Sequence, residues 1–433
     1  PPRSTLFPYT TLFRSIGLGY VGLPLALAIE KCKKYKVIGF DISKAQVEKI
    51  NNRECPITDE KAEVDLKGVN LFATTDENEI DDSDYYIICV PTPVLDDYTP
   101  DYGPVVSASE TIAKHLKEGS TVILESTVNP GTCEEIVLPV LEKESGMKSI
   151  IDFNIAMCPE RINPGDPKWN VYNIPRNIGS LDSSRLEEVA SFYEDFLEAE
   201  INRVSSLKVA EATKIVENAF RDINIAYVNE LAKSFDAMGI DLIETIKGSS
   251  NKPFAFLTHW PGRGVGGHCI AVDPYYLIKR AAESGFDHRF LKIAREVNNS
   301  MPMYTVSRLQ EGLNEVEKSV KGTRVALLGL SYKANIADLR ESPCLEILDI
   351  LKNMGAKVTV FDPFVLDMSD VRSLEEALDS CEAVVLGTYH NVFGDLTKEI
   401  LKGKNIKVVV DGMNKLEKEE FDKNGVIYRG IGR

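Results

Sequence analysis

Nowhere in the 433 residues does an apolar run approach the roughly 18 residues that a membrane-crossing helix needs. Positive charge is scarce as well: 50 Lys and Arg stand against 66 Asp and Glu, a formal net charge of −16. Binders of nucleic acid or of anionic membranes need a basic face, so neither is an expected partner. A phosphate-bearing ligand is not excluded, because local backbone N–H groups can hold one. The eight cysteines (Cys32, Cys55, Cys89, Cys133, Cys158, Cys269, Cys344 and Cys381) include no Cys-x-x-Cys pair. No His/Cys spacing fits a zinc site, so no metal is expected. A charged-then-apolar secretory leader is missing too. The expectation is a cytoplasmic, reduced protein whose thiols are mostly small buried apolar residues. There is no short-period repeat, low-complexity tract or coiled-coil heptad.

What the chain does have is enough apolar material, 43% of residues, to bury real cores. Its length suggests two or three domains at about 150 residues each. From Ile16 onward, short β-rich runs alternate with helical stretches, the pattern of a doubly wound α/β domain. Lys36–Asp41, Tyr85–Val90 and Thr121–Leu124 are predicted strands. Near Ser206 a long helix begins. On a wheel of about 100° per residue, Val209, Ala212, Val216, Phe220, Ile223 and Tyr227 form one arc. Glu211, Lys214, Asn218, Asp222 and Asn229 form another, so the apolar arc is expected in a core. The α/β pattern restarts near Lys321, with strands predicted at Val325–Leu330, Val358–Asp362, Ala383–Leu386 and Val408–Asp411.

Pro1–Ser15 does not match the rest. Thr-Leu-Phe occurs twice, and Arg14 stands where a buried central strand should run. The segment reads as translated sequencing-adapter sequence fused to a truncated frame, with the native first strand missing.

Two motifs carry chemistry. Gly17, Gly19 and Gly22 form a G-x-G-x-x-G turn that lets the backbone approach a pyrophosphate at a helix N-terminus. Asp41, nineteen residues after Gly22, ends the next predicted strand, where a carboxylate accepts ribose hydroxyls and repels a 2′-phosphate. NAD is therefore favoured over NADP. The second motif is Pro261–Pro274, with four glycines in six residues around Gly264 and Gly266. Such a loop is expected to pack poorly and to offer N–H groups to an anion. Cys269 follows it directly, placed as a nucleophile, with Asp273 four residues on. His268 is adjacent in sequence, which does not make a Cys/His dyad.

GLGYVGLPLA, STVNPGT, CPERINPGD, KIVENAFRDINIAYVNE, PGRGVGGHCIAVDPYYL and SYKANIADLRESP, in this order, resemble the UDP-glucose/GDP-mannose dehydrogenase family from Ile16 to the C-terminus. The resemblance implies an α/β chain of two Rossmann-like doubly wound domains joined by a long central helix and a helical dimerisation domain. On it, residues 1–15 are a non-native segment and residues 16–205 bind NAD. Residues 206–320 form the central helical domain with the Cys loop, and residues 321–433 bind a UDP-sugar. It further implies oxidation of the sugar C6 alcohol to a carboxylate with two NAD per turnover, by a homodimer or higher homo-oligomer.

By the same resemblance, Cys269 adds as a thiolate to the C6 aldehyde, and the thiohemiacetal is oxidised to a thioester. Lys214 and Asn218 stabilise the oxyanion and position water. Thr127 is linked to water and the nicotinamide end, and Asp273 handles the proton through water. Glu160 is the carboxylate of thioester hydrolysis. Lys333 lies near the UDP phosphate and Arg340 near the cofactor end. Pro164 stands where the glucose-oxidising branch has a second carboxylate. Phe254 and Ala271 depart from common family residues as well. These features favour a UDP-N-acetylhexosamine over UDP-glucose. Three alternatives stay open: a UDP-glucose 6-dehydrogenase, a two-electron β-hydroxyacid dehydrogenase, and an impaired copy that binds UDP-sugar without turnover.

Overall fold

The computed structural model describes residues 11–57, 59–95, 99–162, 168–267, 269–379, 381–402 and 405–433. The chain divides into two units. One runs to Glu217 and includes Tyr275–Ser284; the other comprises Asn218–Pro274 and Gly285–Arg433.

The first unit is built on eight strands: β1 (Thr11–Ile16), β2 (Tyr35–Phe40), β3 (Phe72–Thr74), β4 (Tyr85–Ile88), β5 (Thr121–Leu124), β6 (Asn154–Met157), β7 (Arg176–Ser180) and β8 (Ile201–Arg203). Their order is β3-β2-β1-β4-β5-β6-β7-β8. All pairings are parallel except β6 with β7. Every residue of β4, β5 and β6 is buried, which is why those segments read as continuous apolar runs with no alternation. The order reverses between β1 and β4, the switch point at which such sheets hold ligands.

β1 corrects the expectation that the first strand is missing. Thr11–Ile16 occupies the centre of the sheet, paired in register with β2 on one side and β4 on the other. Leu12, Phe13 and Ile16 supply enough apolar surface to hold it there. Phe13 packs into one core, with its ring 5.8 Å from that of Phe192, and Ile16 packs into the core on the other face. Arg14 is buried on the Ile16 face, where it donates to the Phe13 carbonyl. Its Nε has no hydrogen-bond partner among the described residues. Burial pushes this guanidinium below its ordinary range, against the opposing influence of Tyr86, Asp81, Asp84 and Glu79. The strand forms in spite of Arg14.

The second unit carries five parallel strands, β9 (Arg324–Leu328), β10 (Lys357–Phe361), β11 (Ala383–Leu386), β12 (Val408–Asp411) and β13 (Ile427–Gly430), in the order β10-β9-β11-β12-β13. Alternate residues of β9 feed two cores. Val325 and Leu327 pack with the Met301–Glu315 and Pro343–Asn353 helices, while Ala326 and Leu328 pack with Phe361, Phe393 and Phe421. Both units are therefore Rossmann-like, with helices on either face of a parallel sheet.

The predicted long helix is Leu207–Met238, 32 residues. Its faces are the reverse of the expectation. Val209, Val216, Phe220 and Tyr227 are 41–57% exposed, whereas Glu211, Asp222 and Asn229 are fully buried and Lys214 and Asn218 nearly so. The polar stripe is buried because each of its hydrogen-bonding members meets a specific partner, as described next. No helix among the described residues is long and apolar enough to cross a membrane.

Candidate active site

The glycine turn after β1 separates structural glycines from a ligand-facing one. Gly17 has φ +91°, and a Cβ there would lie 2.8 Å from the Cys89 carbonyl oxygen. A Cβ on Gly22 would meet the Gly17 oxygen at 1.9 Å. Gly19 has nothing within 4 Å of its absent Cβ. The Gly22–Cys32 helix that follows has no side-chain cap at its N-terminus. Open space above Gly19 and an uncapped helix start together fit a pyrophosphate.

Asp41 stands just past β2. One carboxylate oxygen accepts from the Leu18 N–H and the other from the Ser43 N–H, both at 2.8 Å. The side chain is half-buried and keeps further lone pairs. The second unit has an aspartate in the equivalent place, Asp362 after β10, but in another condition. It is fully buried, and one oxygen is met by the N–H groups of Leu330 and Ser331, the Ser331 hydroxyl and the His390 ring. That oxygen is saturated by the protein. The same sheet edge thus holds a ligand-ready carboxylate in the first unit and a structural one in the second.

The buried stripe of the long helix is met turn by turn. Glu211 accepts from the backbone N–H groups of Gly131 and Cys133 and so fixes the STVNPGT loop. Burial raises its pKa in spite of those bonds. Asn218 donates to Asp273 Oδ2 at 2.5 Å. Asp222 accepts from Arg295 at 2.6 Å and from Asn298 at 2.8 Å. Asn298 in turn accepts from Asn229, whose own carbonyl oxygen receives the Gly262 N–H at 2.9 Å. Lys214 lies one turn before Asn218; the residue is buried, and no group among the described residues is hydrogen-bonded to its ammonium.

The cysteine loop sits in the second unit. Cys269 is exposed, and its carbonyl accepts the Asp273 N–H at 2.9 Å, so thiol and carboxylate are one turn apart. Asp273 begins the Asp273–Glu283 helix and is buried. Against expectation, the loop is tightly packed. A Cβ on Gly266 would lie 2.6 Å from the Glu341 oxygen and 2.8 Å from Pro343 and Tyr332. Gly264 has φ +126° and faces Pro343 and the Asn298 oxygen. These glycines let two backbones approach each other and do not leave an open anion cradle at Cα. Arg263 completes the clamp. It is buried and donates to the Tyr332 carbonyl, the Thr388 hydroxyl and the Cys344 sulfur.

Lys333 is half-buried in the loop after β9, and Arg340 is exposed at the loop's far end. Asp338 holds the Arg340 guanidinium through both its oxygens. Those bonds raise the Arg340 pKa, with Tyr332 and Cys269 adding to the effect. The Arg340 carbonyl also accepts the Gly267 N–H, which brings Arg340 to the cysteine loop.

In the first unit, Thr127 follows β5 and is half-buried. Its carbonyl accepts the Thr92 hydroxyl, whose own carbonyl accepts from Tyr276. Glu160 follows β6, is buried, and pairs with the fully buried Arg176 at 2.7 Å. Sequence reasoning passed over Glu125, Arg176, Arg263, Arg295 and Asn298. Glu125 adjoins the STVNPGT motif and Arg263 lies within the glycine loop, so both were within reach. Arg176, Arg295 and Asn298 carry no motif. The readings at His268 and Pro164 lie outside the described residues.

The chain matches the UDP-glucose/GDP-mannose dehydrogenase family over three successive stretches: its NAD binding domain at residues 13–197, its central domain at 208–300 and its UDP binding domain at 326–418. It is 38% identical to the UDP-N-acetyl-D-glucosamine 6-dehydrogenase of Pseudomonas aeruginosa, covering 94% of each chain. It is 35% identical to the UDP-N-acetyl-D-mannosamine dehydrogenase of Pyrococcus horikoshii, over 96% of this chain and 98% of that protein. A solved structure of the UDP-D-ManNAc dehydrogenase from P. horikoshii superposes with a TM-score of 0.91 at 33% identity, covering 98% of this chain and 99% of that one.

The glycine geometry makes a clean prediction. Gly19→Ala meets no protein atom, so its thermal midpoint should match the parent while its affinity for NAD falls by about tenfold or more. Gly22→Ala should lower the midpoint outright. Isothermal titration and a melting curve on both variants check this; unchanged NAD affinity in Gly19→Ala contradicts it.

Proposed function

The chain belongs to the UDP-glucose/GDP-mannose dehydrogenase family, and from that premise we propose that this NAD-dependent nucleotide-sugar dehydrogenase oxidises the C6 alcohol of a UDP-N-acetylhexosamine to the uronate. The observation that carries the four-electron chemistry is the exposed Cys269 thiol one turn from Asp273, a carboxylate held by Asn218. A two-electron alcohol dehydrogenase has no use for such a thiol. Support for an N-acetylated sugar comes from the relatives in P. aeruginosa and P. horikoshii, whose names specify one.

NAD, when bound, accepts one hydride at a time. The C6 alcohol first loses a hydride and a proton to become the aldehyde. The Cys269 thiolate then adds to C6, forming a C–S bond and an alkoxide. Lys214 and Asn218 stabilise that oxyanion. Loss of a second hydride from C6 collapses the alkoxide to a thioester. Water, deprotonated by Glu160, adds to the thioester carbonyl, and the C–S bond breaks to release the carboxylate and return the thiolate. Asp273 relays protons through water, and Thr127 orders water at the nicotinamide end. Gly17, Gly19, Gly22 and Asp41 hold the dinucleotide. Arg340 serves the cofactor end, and Lys333 binds the UDP phosphate.

The exposed stripe of Val209, Val216, Phe220 and Tyr227 supports a homodimer as the smallest assembly, with a second copy covering it. Light scattering should give a dimer mass or a multiple of it, and a monomer contradicts this. The reaction is assigned to the cytoplasm on the absence of paired cysteines.

Cys269→Ser tests the mechanism. Production of the uronate should fall by a factor on the order of 10³–10⁴, and no sugar adduct should appear on the protein by intact mass. Full production of the acid by this variant overturns the thiol's role.

A further inference from the structure

Antiparallel β7 creates a cluster of which the reaction as described uses only Glu160. Ala156 pairs with Ser180 and Met157 with Gly179. Continuing that register past the ladder carries Glu160 opposite Arg176, the first residue of β7. The strand's reversal therefore delivers an arginine to the carboxyl end of the parallel sheet, where its chemistry is expected.

Arg176 is fully buried and is shared by two carboxylates. Its Nη1 lies 2.7 Å from Glu160 Oε2 and 3.3 Å from Glu125 Oε2. The other oxygen of Glu125 accepts from the Tyr193 hydroxyl at 2.5 Å. The other oxygen of Glu160 accepts from the backbone N–H groups of Arg161 and Ile162, also at 2.5 Å. The remaining titratable groups around the cluster are the buried thiols of Cys89 and Cys158, one from β4's end and one from β6's end. Burial holds both thiols protonated. With both carboxylates ionised, two anions divide one cation in a dry site.

We propose that Arg176 and Glu125 are positioning residues for Glu160: Arg176 fixes the carboxylate, and Glu125, by competing for the same guanidinium, keeps Glu160 basic enough to deprotonate water. This rests on the general-base reading of Glu160. Geometry alone gives the sign. Arg176 unshared would stabilise ionised Glu160 and weaken it as a base, while the Glu125 charge works the other way. In keeping with this, Glu125 is pushed up to about 7, chiefly by burial, with the Glu160 charge adding and Arg176 opposing. Glu125 therefore takes up a proton near neutral pH, and the competition relaxes as it does so.

Arg176→Met would strand two buried carboxylates and unfold the unit, so the test uses the isosteric Glu125→Gln, with Glu160→Gln as reference. UDP-N-acetylglucosamine and UDP-N-acetylmannosamine are supplied with NAD, and decay of the Cys269 adduct is followed by rapid quench and intact mass from pH 5.5 to 9. Glu160→Gln should trap the adduct at every pH. Glu125→Gln should slow decay severalfold above about pH 7, where Glu125 is ionised in the parent, and leave the profile below that pH unchanged, with both KM values within twofold and an unchanged melting curve. A Glu125→Gln profile that superposes on the parent, beside a trapped adduct in Glu160→Gln, overturns the proposal alone. A pH-independent loss accompanied by a lower melting temperature also overturns it, in favour of a purely structural role. Normal decay in Glu160→Gln overturns the general-base reading and the proposal with it.

Discussion

Burial of a polar stripe on one 32-residue helix is the constraint from which the rest of the site follows. A buried carboxylate or amide must find partners, and removing one partner of a buried charge costs roughly 3–5 kcal/mol. Here the partners are mostly loop groups. Glu211 holds the turn after β5, Asn218 holds Asp273 at the end of the cysteine loop, and Asn229 holds Gly262 at its start. Each loop is thereby tied to the part of the helix that lies in its own unit. Lys214 is the exception: the residue is buried in the same stripe, and no described group is hydrogen-bonded to its ammonium.

Two Rossmann-like sheets in one chain serve different ends because of small differences at the carboxyl edges of their strands. Asp41 is half-buried and accepts one backbone N–H at each oxygen, whereas Asp362 has one oxygen saturated by two backbone N–H groups, a hydroxyl and an imidazole. Gly19 has open space at its Cα, whereas the corresponding residue of the second unit is Ser331, whose N–H and hydroxyl both donate to Asp362. The first sheet is thereby fitted to a dinucleotide, and the second spends the same positions on holding itself together. β7 adds a further asymmetry, since reversing one strand brings Arg176 to an edge that parallel strands reach only with their last residues.

Much of this was legible in the sequence where period and punctuation were strong. Thr121–Leu124, Ala383–Leu386 and Val408–Asp411 are strands at the predicted bounds, because continuous β-branched runs between turn residues have few other readings. The long helix was legible too, but not which side of it faces in. A wheel sorts residues by polarity, and an interior that pairs its polar groups defeats that sorting. Thr11–Ile16 misled for the opposite reason: Arg14 is a poor central-strand residue, yet two parallel ladders and Phe13 hold the strand regardless. The glycines before Cys269 signalled a special loop, although tight packing on Tyr332 and Pro343 explains them better than openness does. Arg176 and Glu125 meet only through the register of β7, which no local pattern encodes.

The most direct measurement is the number of NADH formed per UDP-sugar consumed, with UDP-N-acetylglucosamine and UDP-N-acetylmannosamine offered separately. The proposed Cys269 nucleophile predicts a ratio of two with one of these sugars, because the aldehyde is captured and oxidised again before release. A ratio of one, with aldehyde in solution, contradicts it.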